Sequence, residues 1–213
     1  MSTSKSAKAP PTPRPKPKPK RKGGQRAGVS VAAVVDTAIL LFDRDADVSL
    51  VAVAAALRIK TPSLYTHVRS LEHLRRLMKA RTLEMLVAVT TAAAVGRAER
   101  DALFAVCDAQ RAFAKEHPGL LPLTVNIDAA DDDRAHAAAA ALLACISAIL
   151  RGYGLTGDDA LHATRLLRAA TSGFFALEAA GGFGMPLQVD ESWRRLKELL
   201  HAGLSSQAAA TQH

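Results

Sequence analysis

Two apolar stripes of helical period stand almost back to back in the middle of the first hundred residues. Leu50, Val53, Ala54 and Leu57 share one face of a helix, and Leu64 and Val68, with Leu71 close by, resume that spacing after only Arg58-Ile59-Lys60. Two helices joined this tightly must turn a corner, and a corner needs a third element to cover its apolar inside. The stretch from Ser30 supplies one, because Val31, Val34, Val35, Ala38, Leu41 and Phe42 line a single helical face before "DRDAD" ends it. Ser49 is expected to cap the second helix. Thr61 is expected to cap the third, with Pro62 in its first turn, where a missing N–H costs nothing.

The third helix carries an informative exposed side. With Leu64 and Val68 turned inward, Pro62, Ser63 and Thr66 point outward, and Tyr65 and His67 stand at the two edges of that face. Small uncharged side chains allow close approach to base edges in a DNA groove. A phenol and an imidazole at the flanks suit the phosphates on either side. Lys60 and Arg69 bracket the segment with positive charge, and Ser49 opens the preceding helix beside it. The spacing matches a helix-turn-helix; an ordinary corner between two helices with a surface tyrosine and histidine is the alternative on spacing alone.

Beyond this head the periodicity predicts helices over about 70–94, 97–117, 134–151, 158–179 and 190–204, with breaks at "HPG", "GYGLTGDD" and "GGFGMP". The chain is 49% apolar but only 4% aromatic, a balance that favours helix over sheet, so the expected class is all-α. The organisation read from the sequence is an arm over 1–27, a helix-turn-helix head over 28–72, a larger helical domain over 73–204, which the resemblance given below implies to be for effector binding and dimerisation, and a flexible tail over 205–213. "DAADDD" (Asp128 to Asp133) is read as a helix cap rather than a magnesium site.

The net charge of +8 is concentrated at one end. Nine of the 28 basic residues and six of the ten prolines fall in 1–27, which leaves 19 bases facing 20 acids in the rest. That composition predicts a disordered extended arm, either a solubilising tail or a counterion-releasing contact to DNA. No stretch of about 18 residues both apolar and uncharged marks a membrane span, and the basic start lacks the apolar run of a signal peptide. Cys107 and Cys145 lie in apolar helical surroundings, as buried thiols of a reducing compartment do, so a cytoplasmic location is expected.

The stretch "VAVAAALRIKTPSLYTHVRSLEHLRRLM" resembles the head of the TetR/AcrR family of bacterial regulators, whose pattern reads L-G-V-S-x-x-T-L-Y-x-H-F. Leu64-Tyr65-Thr66-His67 is the most specific part of the match, which covers about residues 30–80. "HPGLLPL" and the stretch from Ala170 to Leu200 resemble the WHG-type C-terminal domain of one subgroup, with Ser172-Gly173 where that subgroup commonly has His-Gly. The resemblance implies base contacts from Thr61, Pro62, Ser63 and Thr66 and phosphate contacts from Tyr65 and His67. It implies a homodimer on a palindromic double-stranded DNA operator, released by a small apolar or aromatic effector. Phe104, Cys107, Phe113, Tyr153 and Phe174 are the candidates for the effector pocket; Phe174, Trp193, Leu196 and Leu200 are those for the dimer interface. Two departures stand out: the turn has Arg58 where the family has glycine, and Leu71 stands where a basic residue is frequent.

An enzyme is disfavoured. The seven histidines show no metal-ligand spacing, and no nucleophile elbow or glycine-rich phosphate loop is present, so no catalytic residue, metal or cofactor is expected. The stronger rival is an architectural protein that binds DNA without regard to sequence, motivated by the cationic arm.

Overall fold

The computed structural model of the protein describes residues 29–45, 47–126, 128 and 131–211, and the predicted arm over 1–27 lies outside them. The described chain is helical throughout, in the order α1 (Val31–Asp45), α2 (Leu50–Ala56), α3 (Thr61–Leu64), α4 (Leu71–Ala94), α5 (Glu99–Glu116), a 3-10 segment (Pro118–Thr124), α6 (Asp133–Gly152), α7 (Gly157–Ala179) and α8 (Val189–Thr211).

The head forms as its apolar spacing requires. Val34, Val35 and Ala38 of α1, Val53 and Ala54 of α2, and Leu64 and Val68 around α3 share one core. Val31 does not join it. It sits in the first turn, 42% exposed, and Ile39 is buried farther along. The core also takes in Leu74, Leu77 and Met78 of α4 and Leu120 of the 3-10 segment, so the boundary expected at residue 72 falls inside it.

The turn between α2 and α3 is a Schellman closure. Arg58 N–H donates to the Ala55 carbonyl and Ile59 N–H to the Ala54 carbonyl, both at 3.0 Å, while Ile59 packs on the head core. This closure needs a left-handed residue, and Arg58 has φ of +56°. A side chain there costs about 1 kcal/mol relative to glycine. Arg58→Gly should therefore raise stability by about 1 kcal/mol, seen as a higher urea midpoint at unchanged slope.

α3 begins one residue earlier than the capping argument placed it. Lys60, extended at ψ 142°, is the N-cap and offers no side-chain bond, so Thr61 is already helical. The reason lies in the backbone, since the Lys60 carbonyl already accepts from Ser63 N–H at 2.9 Å. Past Leu64 the chain keeps winding, with His67 N–H and Val68 N–H both donating to the Leu64 carbonyl.

In the body, α4 is capped by Ser70, whose hydroxyl accepts from His73 N–H at 3.0 Å. Asp132 caps α6, accepting from Arg134 N–H at 2.8 Å, while Asp131 and Asp128 pair with Lys79 of α4. α6 is long and apolar enough to cross a membrane, with a hydropathy of 1.6, a property the sequence reading did not assign to it. In the fold Ala135 and Ala138 of α6 pack with Ala80 and Leu83 of α4. α8 runs on past Leu204 to Thr211, its Ala208 still against the body core.

Candidate nucleic-acid interface and ligand cavity

The outer side of α3 matches the helical-wheel expectation. Leu64 and Val68 are 0% and 1% exposed and anchor the segment from behind. Pro62, Ser63, Tyr65 and Thr66 are exposed, Thr61 and His67 half-buried, and Lys60 and Arg69 exposed at either end. Thr66 Oγ1 donates to the Ser63 carbonyl at 2.7 Å, which fixes its rotamer and leaves its lone pairs facing outward. Ser49 is exposed, and its hydroxyl accepts from Ala52 N–H at 3.1 Å, so it stiffens the start of α2 whatever else it touches. The result is a short, rigidly backed ridge of small polar groups, the shape that enters a major groove.

A cavity of about 850 Å³ lies in the body between α4, α5, α6 and α7, in the upper part of the ~300–1,000 Å³ usual for small-molecule sites. Its walls are apolar: Leu103, Val106 and Phe113 of α5, Leu142 and Ile146 of α6, and Leu167 and Phe175 of α7. Gln110 supplies a carboxamide held by Thr90 Oγ1 at 3.2 Å. Where Leu143 and Val125 remain 43% and 54% exposed, the wall opens to solvent.

Two of the five pocket candidates line this space and three do not. Cys107 and Phe113 are in the wall. Burial pushes the Cys107 thiol up to about 12, with the nearby Asp108 charge adding to the effect, so it is an inert apolar contact rather than a nucleophile. Phe104 points to the other side of α5, under the Arg100 guanidinium at 4.2 Å and the Lys197 ammonium at 4.8 Å. Tyr153 is engaged by its hydroxyl with His201 Nδ1 at 2.8 Å. Phe174 packs on Trp193 and Phe183, with ring centroids 5.0 and 4.8 Å away, and its neighbour Phe175 takes the cavity wall. Tyr153 stands just past the end of α6, and for Phe104 and Phe174 the physical reason is the same. α5 and α7 are each apolar on two sides, and periodicity does not say which side meets a partner helix and which meets empty space.

The interface candidates need a similar correction. Trp193 is 3% exposed inside its own protomer, its indole N–H donating to Asp108 at 2.7 Å, and Phe174 is 9% exposed beside it. Leu196 and Leu200 pack against the same core. The stripe of α8 that looked surplus is therefore the inner face. The outward faces carry Leu166, Gly173 and Leu177 of α7 and Leu199 and Gly203 of α8, all five exposed. A methyl group added at Gly173 or Gly203 would meet nothing within 4 Å.

Several organising groups gave no signal in sequence. Arg111, 9% exposed, forks onto Glu178 with Nε–Oε2 2.8 Å and Nη2–Oε1 2.5 Å, and also reaches Asp190 at 2.7 Å. Lys197, 8% exposed, pairs with both oxygens of Asp108 at 2.6 and 2.7 Å. These clamps fasten α7 and α8 to α5.

The 3-10 segment joins head and cavity. Pro118, Leu121, Pro122 and Thr124 line the cavity, while Leu120 and Leu123 pack in the head core. Its start is bonded to α1, with Gly119 N–H donating to Asp43 Oδ1 at 2.9 Å and His117 Nδ1 lying 2.8 Å from Asp43 Oδ2.

Comparison with known proteins agrees with both halves. Residues 103–200 match the family model described as a tetracyclin repressor-like C-terminal domain. The chain is 35% identical over 158 residues to the uncharacterised HTH-type transcriptional regulator Rv0681 of Mycobacterium tuberculosis, covering 73% of this chain and 72% of that one. Its fold is similar to that of a possible TetR family transcriptional regulator from Streptomyces coelicolor A3(2), with a TM-score of 0.65 at 17% identity over 83% of this chain and 99% of the other. The Streptomyces coelicolor TetR family protein ActR, solved in complex with (S)-DNPA, gives a TM-score of 0.63 at 18% identity over 85% and 99%. An exposed polar ridge on a helix-turn-helix, an all-helical body of the tetracyclin repressor type and a regulator as relative lead to one assignment: the chain belongs to the TetR family of transcriptional regulators and is not an enzyme.

Proposed function

We propose that the protein is a ligand-responsive repressor that binds a palindromic operator as a homodimer and is released by a small apolar effector. The observation that carries this reading is the 3-10 segment Pro118–Thr124, which gives alternate side chains to the cavity wall and to the head core. A ligand that fills the cavity presses on Leu121 and Pro122 and so bears on Leu120, Gly119 and, through Asp43, on α1. Release through these packed groups requires that they have a second arrangement, which the ligand favours. That ActR was solved with (S)-DNPA supports a small molecule as the effector class.

In this reading Thr61, Pro62, Ser63 and Thr66 approach base edges, and Lys60, Tyr65, His67 and Arg69 approach phosphates, with Ser49 at the start of α2 beside them. Tyr65 is 54% exposed and needs no rearrangement to donate its phenol to a phosphate oxygen. Tyr65→Ala should weaken operator binding by about 1–3 kcal/mol in a gel-shift titration, the worth of a hydrogen bond to a charged acceptor plus its packing. Unchanged affinity would remove this docking.

A second copy fits the outer faces of α7 and α8. Glycine in mid-helix costs about 1 kcal/mol relative to alanine, and neither Gly173 nor Gly203 is required by anything in its own protomer. Bare backbone flanked by Leu166, Leu177 and Leu199, which are 58%, 50% and 70% exposed, suits close approach of another helix pair. Leu199→Asp should convert a dimer to a monomer in light scattering and abolish operator binding with it, because two heads are needed for two half-sites.

A further inference from the structure

Electrostatics at the rim of the cavity narrow the chemistry of its ligand beyond "apolar". Among the residues that line it, Arg168 is the one charged side chain, and no carboxylate is among them. The Arg168 guanidinium is held in place by a single nitrogen: Nη2 donates to the Thr124 carbonyl at 3.1 Å and to the Val125 carbonyl. Its Nε and Nη1 have no partner among the described residues, and no acid of those residues lies within ion-pair distance of it. Arg97, Arg151 and Arg165 of the body also have no carboxylate partner among the described residues, but none of them lines the cavity. Arg111, Lys197 and Arg134 are each matched to a carboxylate.

Ser172 stands one turn farther along α7, also in the lining, with a hydroxyl that has no partner among the described residues. Residues four apart share a helix face, so a guanidinium edge and a hydroxyl point to the same stretch of rim. The lining follows α7 from Thr164 to Ala180, about 24 Å of helix at ~1.5 Å per residue, with Thr164, Arg168, Thr171 and Ser172 in its first half and only Phe175 and alanines in its second. The space is therefore elongated, with its polar groups and its one positive charge in one half.

We propose that the effector is a monoanionic carboxylate with a large apolar body, its carboxylate held by the Nε/Nη1 edge of Arg168 and by Ser172 Oγ. This rests on the reading of the cavity as the effector site. A guanidinium fork matches a carboxylate in geometry, and one fixed cation balances one negative charge. A cationic ligand would bury its charge beside Arg168 with no acid to meet it, and a dianion would keep one charge unpaired. The serine at 172 gives this chain a small hydroxyl at a position where an imidazole would fill part of the rim.

The test uses the full-length protein and three probes with the same chain, dodecanoate, dodecan-1-ol and dodecylamine. Binding is followed by the fluorescence of Trp193, the single tryptophan, whose ring lies 5.5 Å from that of the cavity-lining Phe175. Dodecanoate should bind at least tenfold more tightly than the alcohol, and the amine more weakly than either. Arg168→Gln should bring the acid down to the level of the alcohol without changing the alcohol. Arg168→Lys should keep part of the preference, and Ser172→Ala should lower acid binding alone by a few fold. Equal binding of acid and alcohol to the wild-type protein, or an acid preference that survives Arg168→Gln, would overturn the carboxylate assignment. So would failure of all three probes while the uncharged N-phenyl-1-naphthylamine still enters, and that result would leave the cavity reading intact. Failure of the naphthylamine as well would overturn the cavity reading itself.

Discussion

Glu178→Ala should destabilise the protein by about 3 kcal/mol or more, the largest single loss expected from any surface-proximal change. The carboxylate and its partner are both mostly out of water, with side-chain exposures of 17% for Glu178 and 10% for Arg111. Truncation leaves the Arg111 guanidinium beside the rings of Phe174 and Trp193, with only the 83% exposed Asp190 to meet it. Removing one partner of a buried pair typically costs about 3–5 kcal/mol, because the remaining charge stays desolvated. The same pair gives stability a defined pH dependence. The hydrogen bond from Arg111, with the charges of Arg111 and Lys115 adding to it and burial opposing, holds the Glu178 carboxyl below the usual carboxylate range. A depressed folded-state pKa means that the unfolded chain takes up the proton first as pH falls. The contribution is therefore complete above the ordinary glutamate pKa of about 4.3 and is lost as pH drops through the lower folded value. Urea midpoints measured between pH 6 and pH 3 should fall more steeply for the wild type than for Glu178→Ala. Parallel curves would mean that the fork is not made in solution.

Gly119→Ala should cost about 2–3 kcal/mol and disturb DNA binding at a distance from the reading helix. The added methyl would lie 2.5 Å from the Asp43 carbonyl oxygen and 2.7 Å from its Cα, both backbone atoms of α1 that cannot rotate away. The cost belongs in the upper part of the range for overpacking, about 1–3 kcal/mol, for that reason. Relief requires the 3-10 segment and α1 to separate, which breaks the bonds from Gly119 N–H and His117 to Asp43. A thermal melt reports the first effect and a gel-shift titration on the same sample the second. A variant as stable as the wild type would show that the two elements are not in contact.

The head was legible in the sequence because each local signal there agreed with the next. Leu64 and Val68 sit at i and i+4, Pro62 in the first turn, and Arg58 at the one position where a glycine is normally needed, and each of these conditions is visible within a dozen residues. The body was legible only as a set of helices. The 3-10 segment was read as a mere stop, since His117-Pro118-Gly119 ends α5 and nothing local says that Leu120 will enter the core of a head some forty residues upstream. The clamps were invisible for the same reason. Arg111 and Glu178 are 67 residues apart and Asp108 and Lys197 are 89, so their pairing exists only once α7 and α8 have packed on α5. Cys107 and Phe113 line the cavity wall, and Phe104, Tyr153 and Phe174 do not. The apolar stripe of Trp193 lies in the protomer's own core, and periodicity alone does not distinguish that from an interface. Gly173 and Gly203, on the exposed outer faces of α7 and α8, carry no hydrophobic signal at all.

The central claim is that the ridge of Pro62, Ser63 and Thr66 reads sequence, and a nuclease footprint of the full-length protein on the DNA upstream of its own coding sequence tests it most directly. The account predicts a protected site with two inverted half-sites about one helical turn apart, about 10–10.5 base pairs centre to centre or a multiple of it. That site should be bound at least about 10³-fold more tightly than random DNA at the same salt concentration. Uniform protection along the fragment, with affinity set by salt alone, would contradict it and favour an architectural role.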